Sequence, residues 1–200
     1  MLKKFGKLKR KKQQGNHLKA PPGQHITTKF PVLTYGSTPE VEPDIWRFKV
    51  FGAVEESVTF TWKDFLALGN LIISAEFHCV TQWSRLNNLW EGVPFQEVSK
   101  ATKPTPDARF VMIHSYGGYT TNIALSVLMD NDVLFAYKHD SKPLEPDHGG
   151  PIRLVVPKLY GWKSAKWVNG LEFLSENTPG FWERRGYHME GDPWKTQRFQ

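Results

Sequence analysis

One cysteine in 200 residues, Cys79, decides how this chain must be held together. No internal disulfide is possible, and a single thiolate is three ligands short of a structural zinc site. The fold therefore rests on a hydrophobic core. A length of 200 residues, 40% of them hydrophobic and 14% aromatic, is enough to build one in a single domain. The lone thiol suits a reducing compartment. No apolar run approaches the roughly 20 residues that span a bilayer. The basic N-terminus is followed by no hydrophobic stretch and contains no adjacent arginine pair. The expected location is the cytoplasm.

The surroundings of the thiol are unusual. An apolar run, Leu71-Ile72-Ile73, leads into Glu76-Phe77-His78-Cys79-Val80-Thr81-Gln82-Trp83-Ser84, and Trp90-Glu91-Gly92-Val93-Pro94 follows. A thiol at the end of an apolar strand, before a polar and aromatic loop, suits a soft metal that arrives with most of its ligands attached. Thiolate sulfur is a soft ligand and binds deprotonated. The plainer alternative is a small buried hydrophobe.

The net charge of +6 is unevenly spread. Lys3, Lys4, Lys7, Lys9, Arg10, Lys11 and Lys12 supply seven positive charges, and +6 less those seven leaves −1 for the rest. Residues 1–29 read as a flexible basic tail broken by Pro21-Pro22-Gly23, and the fold is expected from Phe30 to the end. Trp46 to Val50 alternates as a half-buried strand does. Val58-Thr59-Phe60 reads as a short strand, and Thr61 as the cap of a helix carrying Phe65, Leu66 and Leu68. Leu71 to Phe77 reads as a buried strand, and Pro94 as the first turn of a helix with Phe95 and Val98. Further strands are expected at Arg109 to Ile113, Val133 to Tyr137, Ile152 to Val156 and Trp167 to Leu174. A short helix is expected at Ser126 to Met129. The predicted class is α+β, a β-rich single domain.

A second informative stretch is Asp147-His148-Gly149-Gly150-Pro151-Ile152-Arg153. Its glycines permit close approach to a ligand, and Arg153 offers a planar fork for phosphate. Lys158, Lys163 and Lys166 follow, around Tyr160-Gly161-Trp162. Lysines beside a glycine-containing turn make an anion cradle, or else a solvated strand edge. Dinucleotide and P-loop glycine motifs are absent.

These blocks resemble, in order, segments of the sulfite oxidase superfamily. Phe77 to Ser84 with Trp90 to Pro94 is similar to its molybdenum-cysteine region. Asp147 to Pro157 is similar to its pterin-phosphate segment, followed by Lys163-Ser164-Ala165-Lys166-Trp167. Gly180-Phe181-Trp182-Glu183-Arg184-Arg185-Gly186-Tyr187 resembles its closing motif. The resemblance covers roughly residues 30–198. It implies a molybdopterin-binding oxidoreductase with molybdenum held by the cofactor dithiolene and by Cys79. It further implies that His148, Arg153, Ser164, Ala165 and Lys166 hold the pterin and its phosphate. Ser115, Thr34 and Tyr35 would add pterin contacts, and Tyr187 would be the active-site tyrosine. Two departures stand out. No arginine lies around Phe30-Pro31-Val32-Leu33, and after the cysteine only Arg85 stands where the family carries arginines, which disfavours a dianion such as sulfite.

The expected activity is two-electron oxygen-atom transfer on a small-molecule substrate. Electrons are exchanged with a separate partner, and the protein is expected to be a monomer without nucleic acid. Two other readings remain open. One is a binding module whose basic tail engages RNA or membrane. The other is a cysteine hydrolase pairing Cys79 with His78 or His114. Adjacent strand residues face opposite ways, which places His78 poorly for that task.

Overall fold

The computed structural model describes residues 20–200. In chain order the strands are β1 (His25–Ile26), β2 (Arg47–Gly52), β3 (Val58–Thr61), β4 (Leu71–His78), β5 (Trp83–Pro94), β6 (Phe110–Ser115), β7 (Thr120–Ala124), β8 (Leu134–His139), β9 (Lys142–Pro143), β10 (Arg153–Val155) and β11 (Val168–Leu174). The α-helices are α1 (Trp62–Leu66), α2 (Phe95–Thr102) and α3 (Leu125–Leu128). Strands outweigh helices, so the expected α+β class with a β-rich core holds.

Local sequence explains most elements. Along β2 the buried Phe48 and Val50 alternate with the exposed Arg47 and Lys49, the period of a strand with one face in the core. Thr61 caps α1 by accepting a hydrogen bond from the Asp64 amide at 3.3 Å, and Phe65 turns inward. In α2 the apolar Phe95 and Val98 face the core, and Lys103 closes the helix in the left-handed region.

The strands form two sheets. One has the order β3-β2-β11-β6-β7. In the other, β5 is the centre, pairing with β4 and β8 antiparallel and with β1 parallel, and β8 also pairs with β9 and β10. The main core includes Trp46, Phe48, Phe135, Leu154, Leu171 and Phe173 from both sheets, with the Phe48 and Phe135 rings 5.2 Å apart. A smaller cluster includes Phe77, Cys79, Trp83, Trp90, Leu134, Ala136 and Val155. The two clusters take alternate residues of β8 and β10. Leu154 faces the main core while Val155 faces the Cys79 cluster. Strand alternation then puts Arg153 on the Cys79 side.

Three expectations change. The stretch after Cys79 is not a loop, because only a tight turn separates β4 from the twelve-residue β5. The Gln82 amide donates to the Cys79 carbonyl at 3.0 Å, with Gln82 at φ 72°. β7 was not anticipated. The boundary at Phe30 also falls too late. Pro21 is buried, β1 pairs with Trp83 and Ser84, and the Gln24 side-chain amide donates to the Cys79 carbonyl at 3.1 Å. The basic run Lys3 to Lys12 lies outside the described residues.

Candidate functional site

A cavity of about 340 Å³ opens beside the end of β4. Its wall brings together nine of the ten residues singled out from the sequence: Cys79, Tyr187, Thr34, Tyr35, His148, Arg153, Ser164, Ala165 and Lys166. Ser115 is the exception. It lies at the end of β6, buried, with its Oγ unpartnered.

Cys79 is 7% exposed, and its Sγ lies 3.1 Å from Thr81 Oγ1. Its position is fixed by the turn, by its amide bond to the Trp83 carbonyl at 2.8 Å, and by Gln24. Phe77, Trp83, Trp162, Trp167, Trp182 and Tyr187 make the wall largely aromatic. Tyr187 stacks on Trp182 at 4.9 Å and meets Trp162 edge-on at 5.0 Å. Its phenol pKa is raised, first by burial and then by Cys79, so the phenol keeps its proton, and both residues line the same cavity.

Arg153 sets the electrostatics. It is 2% exposed and surrounded by Phe77, Trp90 and Phe30. Its Nη1 and Nη2 donate to the carbonyls of His148 and Ser164 at 2.9 and 2.8 Å, and its Nε has no partner. Burial lowers its pKa to about 10. Lys166 donates to Thr34 Oγ1 at 2.8 Å and to the Asp147 carbonyl at 2.6 Å. Burial, then the neighbouring Arg153, lowers its pKa to about 8. His148 stacks on Phe30 at 4.6 Å and is held neutral by burial and by Arg153 and Lys166. No carboxylate lines the cavity. Arg153, buried and without a carboxylate partner, is a charge that an anion in the cavity would compensate.

The three lysines expected to cluster separate. Lys158 pairs with Asp130 on the surface at 2.5 Å. Lys163 is fully buried against Glu183 at 2.7 Å. Only Lys166 reaches the cavity. The polar groups of Ser164 are spent on the fold. Its Oγ accepts from the Val156 amide, its carbonyl from Arg153, and its own amide donates to Gly161. Gly149 and Gly150 admit close approach of the chain itself. A Cβ on Gly150 would lie 2.2 Å from the Leu144 carbonyl, and one on Gly149 would crowd Arg153 and Lys166.

Arg85 turns away from the cavity to Asn88, His139 and Asp140. Neither histidine named for a hydrolase is placed to serve one. His78 Nδ1 contacts Ser84 Oγ at 2.8 Å, His114 is paired with Glu172 on the other sheet at 3.0 Å, and neither lines the cavity. Sequence reasoning missed the residues that shape the chamber: Phe30, Thr81, Tyr119 and Trp162. Phe30, Thr81 and Trp162 stood inside segments the sequence singled out but were given no role there, and Tyr119 carried no local signal.

A cavity that brings one thiol, aromatic walls and two cations together has the chemistry to receive an anionic, metal-bearing cofactor. Residues 35–182 match the family of oxidoreductase molybdopterin binding domains, and the chain belongs to that family. It is 43% identical over 196 residues to the uncharacterized oxidoreductase YuiH of Bacillus subtilis, covering 98% of each chain. It is 30% identical over 161 residues to the protein-methionine-sulfoxide reductase catalytic subunit MsrP of Campylobacter jejuni, covering 69% of this chain and 52% of that one. The crystal structure of the sulfane dehydrogenase SoxCD from Paracoccus pantotrophus shares the fold, with a TM-score of 0.66 at 21% identity over 74% of this chain and 42% of that one. The protein is thus a molybdopterin-dependent oxidoreductase with the sulfite oxidase type of fold.

The wall fits that cofactor. The orphaned Arg153 Nε and the unpaired charges of Arg153 and Lys166 suit its phosphate. The flat aromatic faces suit a pterin. Among the described residues no group of three or more His, Cys, Asp or Glu is placed to hold a metal ion.

Proposed function

We propose that the enzyme transfers an oxygen atom from a small uncharged oxide, with Cys79 as the one protein ligand of the cofactor metal. The observation that carries this reading is a buried thiol sharing a cavity with two cations and no carboxylate. When bound, the cofactor supplies two-electron oxygen-atom transfer at its metal. Arg153 and Lys166 hold its phosphate, and His148 contributes a neutral ring beside them. Phe77, Trp83 and Trp162 exclude water, which strengthens every polar contact inside. The Tyr187 phenol keeps its proton and donates a hydrogen bond to the substrate oxygen. The overall change takes up two protons and two electrons and releases water, the electrons coming from a separate carrier protein.

The preference for an uncharged substrate follows from the cations. Arg153 and Lys166 serve the phosphate, and Arg85, which the sequence placed near the cysteine, is tied to Asp140 outside the cavity. No cation remains in the wall for an oxyanion, which needs fixed charge-assisted donors. The Campylobacter relative, named for a sulfoxide substrate and as a catalytic subunit, supports both the oxide and the separate electron partner. Turnover is measured with reduced methyl viologen as donor and dimethyl sulfoxide, trimethylamine N-oxide or nitrate as acceptor, and in reverse with sulfite. The uncharged oxides should give the highest kcat/KM. A preference for nitrate or sulfite would contradict the reading.

A further inference from the structure

Behind the aromatic wall lies a buried polar knot that the reaction as described does not use. Lys163 and Glu183 are both fully removed from solvent at the side chain, with Nζ 2.7 Å from Oε1. The same Oε1 accepts from Trp162 Nε1 at 2.9 Å and from Thr121 Oγ1 at 3.0 Å, while Oε2 has no partner. Lys163 Nζ also donates to the carbonyl and side-chain oxygens of Asn122, at 2.7 and 3.1 Å. The knot joins β7, the turn that carries Trp162, and the C-terminal segment. That segment is docked by the Phe181 amide on the Thr120 carbonyl at 2.8 Å. Gly180 lies so close that a Cβ there would sit 2.7 Å from Glu183 Oε2.

Neither charge lines the cavity, yet each stands next to residues that do. Lys163 lies between Trp162 and Ser164, and Glu183 follows Trp182. The contacts run in one direction. Glu183 fixes the indole N–H of Trp162. The Trp162 ring meets the Tyr187 ring edge-on at 5.0 Å, and Trp182 stacks on the other side of Tyr187 at 4.9 Å.

We propose that Glu183 is a positioning residue: paired with Lys163, it orients the Trp162 indole and through it the Tyr187 phenol, which lines the same cavity as Cys79. The inference rests on the reading of Tyr187 as the donor to the substrate oxygen. A buried ion pair is weak evidence of stabilisation, since well-packed apolar residues often replace it at no cost. Placing a reacting group to within a fraction of an ångström is a use that apolar residues cannot replace.

Two substitutions separate placement from stability. In Glu183→Gln, Oε1 still accepts from Trp162 and Thr121, but Lys163 loses its counter-charge. Tm should fall while kcat for dimethyl sulfoxide, per bound molybdenum, stays near that of the native enzyme. In Lys163→Met/Glu183→Leu no buried charge is left unpaired, so Tm should recover, but the indole loses its acceptor. Here kcat should fall about tenfold or more at unchanged molybdenum content. The same apolar pair made in a Tyr187→Phe background should cause no further loss. Activity that tracks Tm across the variants, or an equal further loss without the phenol, would overturn the proposal. Should Glu183→Gln not fold, the apolar pair with and without Tyr187→Phe decides alone. A Tyr187→Phe enzyme as fast as the native one would remove the phenol from the reaction, and the positioning role with it. The cofactor assignment, read from molybdenum content, would stand.

Discussion

Arg153 concentrates the electrostatic demand of this molecule in one side chain. It is buried among aromatic rings, with two nitrogens on backbone carbonyls and a third on nothing. An anion completes it. Lys166 is the adjustable member of the pair, because its pKa is lowered to about 8 by burial and by Arg153. It is charged below that value and loses its proton as pH rises through it, so its hold on a phosphate weakens on the alkaline side. The bound phosphate itself lifts the pKa, which moves the step above 8. Cofactor retained after dialysis at pH 7 and at pH 9.5 should therefore differ in the native protein. Lys166→Met should retain little at either pH, having lost a charge-assisted contact of about 1.5–3 kcal/mol. A Lys166→Met protein with native retention and a native pH step would take Lys166 out of the phosphate site. Arg153, lowered to about 10, is fully charged at pH 7 and still mostly charged at pH 9.5.

At the scale of elements, the N-terminal segment is the one whose role the structure changes. The side chain of Gln24 reaches both the Cys79 carbonyl and Ser84 Oγ, so β1 braces the turn that aims the thiol. A chain beginning at Lys29 should melt below one beginning at Ala20, by the roughly 1–3 kcal/mol of several lost hydrogen bonds, and should load less molybdenum. Equal loading would show that the turn holds Cys79 unaided. β1 was illegible in the sequence because two residues between Pro-Pro-Gly and Thr-Thr carry no periodicity. β2, β8, β10 and β11 were legible because alternation or a short apolar run marks them. β5 was hidden for a physical reason. Its buried positions include Ser84, Asn88 and Gly92, which the cavity side and the neighbouring strands cover, so composition suggested a loop. The site followed the same division. Cys79, Arg153 and Lys166 stand in local motifs and were found. The destination of Lys163 depends on Glu183, twenty residues further on, and no local pattern shows that pair.

At the scale of the whole molecule, the two sheets have separate duties. The main core between them fixes the shape. The second cluster, on the other face of β8 and β10, sets Cys79, Phe77 and Trp83 into the cavity beside Arg153. A fold that brings one thiol and two cations into the same aromatic chamber has the chemistry to receive a cofactor, and the central claim is that Cys79 is the protein's ligand to its metal. The most direct measurement is metal and pterin content of the native protein and of Cys79→Ser, with the sulfur–molybdenum coordination read by X-ray absorption. The native protein should carry about one molybdenum per chain. The variant should keep its pterin, held by Arg153 and Lys166, and should lose one sulfur from the metal shell together with most of its activity. An unchanged number of sulfur ligands in Cys79→Ser, or a native protein loaded with pterin whose turnover is indifferent to the substitution, would contradict the account.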